Sequence, residues 1–149
     1  MSNHQTRFTV MGAGHGGKAM AAHLGLMGFD TKLYNRTFEH IAAIHELGGI
    51  DLVGYEGDKR EFGRLTRVTS NIEEALEGTD MIMVVVPSSA HAELAKAMAP
   101  YLKDGQIVVL HPGRTCGAIE VAKVLRENGC KAEVIVAEAE TFIYASRSD

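Results

Sequence analysis

Basic charge is scarce in this 149-residue chain: 15 Lys and Arg stand against 19 Asp and Glu, a net charge of -4, with no local Lys/Arg cluster. A nucleic-acid-binding surface is excluded on that balance. Long apolar runs are lacking too; none approaches the ~18 residues that a membrane span needs. The opening Met-Ser-Asn-His-Gln-Thr-Arg is polar, without an apolar core or a small-residue cleavage pattern, so no export leader is read there and a cytoplasmic protein is expected. Only two cysteines occur, Cys116 and Cys130, and without an export signal both are expected as free thiols. The histidines form no ligand set. His40 and His45 do not share a helix face, and no Cys/His/Asp/Glu group has metal-ligand spacing, so no metal site is expected. The seven methionines fall mostly inside apolar runs and read as core filler. What remains is an ordinary globular composition, 46% hydrophobic and 23% charged, in one domain over 1–149 that is long enough to bury a core.

One stretch carries chemistry. Phe8-Thr9-Val10-Met11 is a short apolar strand that runs into Gly12-Ala13-Gly14-His15-Gly16-Gly17 and then into an Ala- and Leu-rich helix. The spacing of Gly12, Gly14 and Gly17 is G-x-G-x-x-G. Gly12 lets the chain turn off the strand, Gly14 removes a side chain that would block a pyrophosphate, and Gly17 lets the helix pack closely. A helix N-terminus there presents unpaired N–H groups and a positive dipole end, which suits a diphosphate. The motif alone is weak, because glycines cluster in many turns. Its setting between a strand, a helix and a second strand over 31–34 favours a dinucleotide. An S-adenosylmethionine site also uses glycines after a first strand, but the acidic residue expected near the end of that strand is replaced by Val10 and Met11.

At the end of the second strand an NAD site carries Asp or Glu for the adenosine ribose hydroxyls. Here stand Asn35, Arg36 and Thr37. Asn35 does not repel a 2′-phosphate and Arg36 can pair with one through two N–H groups, so NADP is preferred over NAD. The plainer reading is a solvated Arg36 and a Thr37 that caps a helix over 38–47, whose apolar stripe is Ile41, Ala42, Ile44 and Leu47. Residues 50–68 predict a β-hairpin or two short strands around a polar turn over 56–59, in place of the plain third strand. Ser70-Asn71-Ile72-Glu73 predicts a capping box and a short helix to about Leu76.

Residues 81–86, Met-Ile-Met-Val-Val-Val, are apolar without alternation, as in a central parallel strand. The loop after it, with Val86, Pro87 and Ser88, falls where open α/β sheets bind ligands. Ser88 or Ser89 could equally be the cap of a helix over 91–98. A strand over 106–110, the loop His111-Pro112-Gly113-Arg114-Thr115-Cys116-Gly117, a helix over 118–127 burying Ile119, Ala122 and Leu125 or neighbouring valines, and a strand over 133–137 follow. The segment from Glu138 onward begins another strand-like run. The pattern is an α/β, doubly wound, mostly parallel Rossmann sheet of order 3-2-1-4-5-6 with a hairpin insertion near 50–68.

The segments 10–24, Val-Val-Val-Pro-Ser-Ser-Ala-His (84–91), His-Pro-Gly-Arg-Thr-Cys-Gly-Ala (111–118) and Glu138 with Ser-Arg-Ser (146–148) together resemble the N-terminal domain of the octopine/opine dehydrogenase family. The glycine loop is also similar to that of the wider group of glycerol-3-phosphate and 6-phosphogluconate dehydrogenases. The Asn35-Arg36-Thr37 triplet is like that of the group's NADP-using members. The resemblance implies reductive condensation of an α-keto acid with an amino acid, hydride coming from NAD(P)H. It implies a second, helical domain holding the catalytic His and Asp, which this chain lacks; no catalytic residue is therefore carried over. Gly12, Ala13, Gly14, His15, Gly16, Gly17, Asn35, Arg36, Val86, Pro87 and Ser88 carry over as cofactor contacts. His111 stands where a relative is expected to have Asn and is not promoted to general base. A separate chain could supply the missing domain. Alternatively the chain is a non-catalytic nucleotide-sensing or docking module. Without a covering domain, apolar surface at Phe142, Ile143 and Tyr144 predicts a homodimer.

Overall fold

The computed structural model describes residues 5–54 and 59–148. Six parallel strands form the central sheet: β1 Phe8–Met11, β2 Thr31–Tyr34, β5 Arg67–Thr69, β6 Met81–Val84, β7 Ile107–Leu110 and β8 Ile135–Glu138. Their order is β5-β2-β1-β6-β7-β8, which is the expected 3-2-1-4-5-6. Because side chains alternate along a strand, the sheet feeds two separate cores. Val10 and Leu33 point to one face, with Met20, Ala21 and Leu24 of helix α1 (His15–Leu26) and Ile41. Met11, Ile82, Val84, Val108 and Leu110 point to the other. That second face is covered by α3 (Ile72–Leu76), α4 (His91–Met98) and α5 (Gly117–Glu127).

Buried polar side chains tie these layers together. Thr9, fully buried in the central strand, donates to the Ala75 carbonyl at 2.7 Å and contacts Thr79 Oγ1 at 2.7 Å. Gln106 donates from Nε2 to the Leu76 and Thr79 carbonyls, both at 2.9 Å, and accepts the Lys103 N–H at 2.8 Å.

The hairpin is present but does not replace the third strand. Strands β3 (Gly49–Val53) and β4 (Arg60–Arg64) pair antiparallel as a sheet of their own, and β5 follows them in the main sheet. Of the predicted turn over 56–59, residues 56–58 lie outside the described residues. The hairpin lies against α1 backbone to backbone: a Cβ on Gly63 would strike Ala22, and one on Gly25 would strike Arg64.

Several local expectations are corrected. The helix over 38–47 is a 3-10 turn, Phe38–His40, then α2 (Ala42–Leu47), broken at Ile41 so that this side chain is fully buried; Leu47 is left 70% exposed. Thr37 precedes the 3-10 turn without a side-chain cap. The cap of α3 is Asn71, not Ser70, and its Oδ1 accepts the N–H groups of Glu73 and Glu74 at 3.0 and 3.3 Å. The strand over 81–86 stops at Val84, where the chain passes beneath Gly12. Neither Ser88 nor Ser89 caps α4 through its side chain; a 3-10 turn, Ser88–Ala90, leads straight into that helix. On α5 the buried side chains are Val121 and Leu125, with Ile119 70% exposed. Residues 139–148 hold no strand. They cross α1 instead, with the Phe142 ring over Gly16 and Tyr144 OH 2.7 Å from His23 Nδ1. Phe142 and Tyr144 are thus packed within the chain, and of the three apolar residues only Ile143, 66% exposed, stands free for a partner.

Candidate functional site: a dinucleotide cleft

The strand-to-helix turn after β1 is built as its glycines require. Gly12 has φ +112°, a conformation that a Cβ would strain, and its amide donates to the Tyr34 carbonyl at 2.8 Å. A Cβ there would also strike the Val85 carbonyl, and one on Gly17 would strike the Gly12 carbonyl. Gly14 differs: nothing lies within 4 Å of where its Cβ would be, so its face is open. It is also the N-cap of α1 and brings no capping side chain. The first-turn N–H groups of this 12-residue helix thus have no side-chain cap, and the space beside Gly14 is open, an arrangement that suits a diphosphate.

Gly16 and His15 are engaged from the side by the C-terminal segment. A Cβ on Gly16 would lie 2.6 Å from the Phe142 ring. His15 Nδ1 lies 2.8 Å from Ser148 Oγ and 2.9 Å from the Ser148 amide nitrogen, and Ser146 Oγ donates to the His15 carbonyl at 3.2 Å. The amide holds its hydrogen, so the ring accepts there.

Beside the glycine turn runs a cleft of about 430 Å³, floored by Gly12 and Val86 and walled by Asn35, Arg36 and Thr37 on one side and by α4 on the other. Of the residues named from sequence, Gly12, Asn35, Arg36, Val86 and Pro87 line it; Ser88 does not, its neighbour Ser89 taking that place. Ala13, Gly14, His15, Gly16 and Gly17 form the adjoining turn and helix start. Asn35 acts as a clasp. Its Oδ1 accepts the Ala13 N–H at 3.2 Å and its Nδ2 donates to the Thr37 carbonyl at 2.9 Å, joining the end of β2 to the glycine turn. Arg36 is not simply solvated. Its Nη1 lies 2.8 Å from Glu93 Oε1 across the cleft. Tyr34 backs the cleft, and burial pushes its phenol above the usual range.

A second group gathers at the C-terminal ends of β7 and β8. Glu138 Oε2 accepts the Ala118 N–H at 2.6 Å, placing a carboxylate at the start of α5, where the helix dipole favours it. A Cβ on Gly113 would strike that carboxylate. His111 and His91 are buried with both ring nitrogens unpaired, and burial lowers the His111 pKa from its ordinary value. Among the described residues no three His, Cys, Asp or Glu are grouped to hold a metal, and no helix is long and apolar enough to cross a membrane. Cys116 and Cys130 are free thiols. Sequence reasoning missed Glu93, since no local pattern joins it to Arg36, 57 residues away.

Residues 7–113 match the family described as NAD-dependent glycerol-3-phosphate dehydrogenase N-terminus. The opine dehydrogenase of Arthrobacter sp. (strain 1C) is 35% identical over 144 residues, which are 95% of this chain and 39% of that protein. An NAD(P)+ glycerol-3-phosphate dehydrogenase of Halorhodospira halophila (strain DSM 244 / SL1) is 36% identical over 105 residues, 66% of this chain and 29% of that one. In structure, an octopine dehydrogenase solved with NADH and agmatine superposes with a TM-score of 0.77 at 22% identity, over 94% of this chain and 36% of that chain; this likeness is one of fold. The chain thus spans less than half the length of each of these relatives. It belongs to the NAD-dependent glycerol-3-phosphate dehydrogenase N-terminal family and is an NAD-binding Rossmann domain of the opine dehydrogenase-like kind.

Proposed function

We propose that this chain binds NADPH in preference to NADH and is the cofactor half of an oxidoreductase that condenses an α-keto acid with an amino acid. The observation that carries the reading is an open Gly14 and an uncapped start of α1 next in the chain to Gly12, which lines a cleft that Arg36 also lines. In this reading the adenosine lies in the cleft by Val86, Pro87 and Ala90, and the diphosphate meets the turn from Gly12 to Gly17. The 2′-phosphate pairs with Arg36, while Asn35 holds the turn in shape. The bound cofactor would supply hydride. Substrate and the proton-transferring groups would come from a helical domain beyond this chain, in the same polypeptide or on a partner. The cytoplasm is the proposed location.

Titration calorimetry with NADPH and NADH tests the cofactor reading. A guanidinium–phosphate pair is worth about 1.5–3 kcal/mol. Arg36→Ala is therefore expected to weaken NADPH about tenfold to a hundredfold and to spare NADH. Binding of neither nucleotide, or equal losses for both, refutes it. The isolated chain should bind without turnover; oxidation of NADPH dependent on a keto acid and an amino acid would overturn the need for a second domain. A homodimer, now resting on Ile143 alone, is refuted by a monomer in light scattering at tens of micromolar.

A further inference from the structure

Asn35 stands where an NAD site carries its carboxylate, and both ends of its amide already serve the backbone of Ala13 and Thr37. The ribose hydroxyls of a nucleotide in this cleft need an acceptor from elsewhere. Among the described residues that line the cleft, Glu93 is the only carboxylate. It projects from the first turn of α4 and meets Arg36 at 2.8 Å, closing the cleft mouth with one acidic and one basic group. Both side chains are mostly exposed, 76% for Arg36 and 70% for Glu93, so the pair is weakly held and either group can turn to a ligand.

We propose that Glu93 is a specificity-determining residue of the nucleotide site, supplying from α4 the ribose-binding carboxylate that the end of β2 lacks. This rests on the cofactor reading above. With NADH, Glu93 accepts from the ribose hydroxyls and keeps Arg36 as its counter-ion. With NADPH, Arg36 leaves Glu93 for the 2′-phosphate, and the carboxylate left behind repels that phosphate. Arg36 creates the NADPH preference and Glu93 restrains it, so the site accepts both nucleotides.

Glu93→Gln preserves size on an exposed position, removes the charge and turns one of the two acceptor oxygens into a donor. A unit charge within several ångströms of a phosphate dianion, screened as at a surface, changes affinity by about fivefold to tenfold. The full chain is titrated with NADH and NADPH at low and high salt, as wild type, Glu93→Gln, and Glu93→Gln in an Arg36→Ala background; circular dichroism checks the fold. NADPH should bind about fivefold to tenfold tighter to Glu93→Gln and NADH more weakly, and high salt should shrink the NADPH gain; an unchanged NADH affinity overturns the ribose role. The NADPH gain should persist without Arg36, because it comes from relief of repulsion and not only from freeing the guanidinium. Equal shifts for both nucleotides, or a ratio that stays within twofold, overturn the inference while leaving the cofactor reading intact. A wild-type chain that binds neither nucleotide overturns both.

Discussion

Replacing Asn35 separates two roles that meet at one position. Asn35→Ala deletes the acceptor of the Ala13 N–H at 3.2 Å and the donor to the Thr37 carbonyl at 2.9 Å. A neutral hydrogen bond contributes about 1 kcal/mol net, and a buried donor left alone costs about 1–3 kcal/mol. Ala13 is 9% exposed, so its orphaned amide brings the expected loss to about 2–3 kcal/mol. For a domain of this size each kcal/mol moves the midpoint by about 2–4 °C, so a fall of roughly 4–12 °C is expected in thermal unfolding. Asn35→Asp behaves differently. Its carboxylate still accepts the Ala13 N–H, now with charge assistance, but sets an oxygen against the Thr37 carbonyl, so stability should stay within about 1 kcal/mol of wild type. The same charge at the cleft mouth should weaken NADPH about tenfold and spare NADH. Differential scanning calorimetry and nucleotide titration read the two variants side by side. An Ala variant that melts within a degree of wild type would show that the clasp does not hold the turn. An Asp variant that loses both nucleotides equally would show that position 35 does not face the ribose.

Two further outcomes follow from buried polar groups. Gln106→Leu leaves the Leu76 and Thr79 carbonyls and the Lys103 amide without their side-chain partner, and should lower stability by about 2–4 kcal/mol in urea unfolding; a loss below half a kcal/mol would mean that water replaces the amide. Burial lowers the pKa of His111 in the folded chain, so the unfolded chain binds its proton more readily. The stability associated with the neutral ring is full above the unfolded value of about 6.5 and is lost as pH falls through the lower folded value. His111→Asn should flatten the slope of stability against pH below about 6.5, and an unchanged slope refutes the assignment.

The frame of the fold was legible because its signals are local. Phe8–Met11, the glycines and Thr31–Tyr34 announce a strand, a crossover helix and a parallel partner within thirty residues, and the apolar run at Met81–Val84 announces the strand beside them. What was hidden depends on groups distant in sequence. Ile41 breaks its helix because the core on that face accepts it, which no 3.6-residue period reveals. Asn71 caps α3 in place of Ser70 because the Thr69 hydroxyl takes the Asn71 N–H at 3.0 Å, fixing where the helix starts. The hairpin was legible as a hairpin, yet its fit depends on Gly25 and Gly63 meeting backbone on both sides, a match that neither glycine shows alone. In the cleft, Asn35 and Arg36 were found by position, but their partners Ala13 and Glu93 come from a turn and a helix elsewhere. The segment 139–148 reads as apolar and strand-like until the gap over Gly16 offers Phe142 a seat.

Helix α1 is gripped along its length: the sheet lies beneath it, the hairpin abuts Ala22 and Gly25, and Phe142 and Tyr144 lie over Gly16 and His23. Twelve residues make a rod of about 18 Å. Held on several sides, such a rod can move only as one body. A methyl group added at Gly63 would strike the Ala22 backbone, so either the hairpin or the helix would have to shift, and a shifted helix carries its uncapped first turn with it. The described residues of the hairpin line none of the cleft, yet their packing helps to fix where the start of α1 stands beside it.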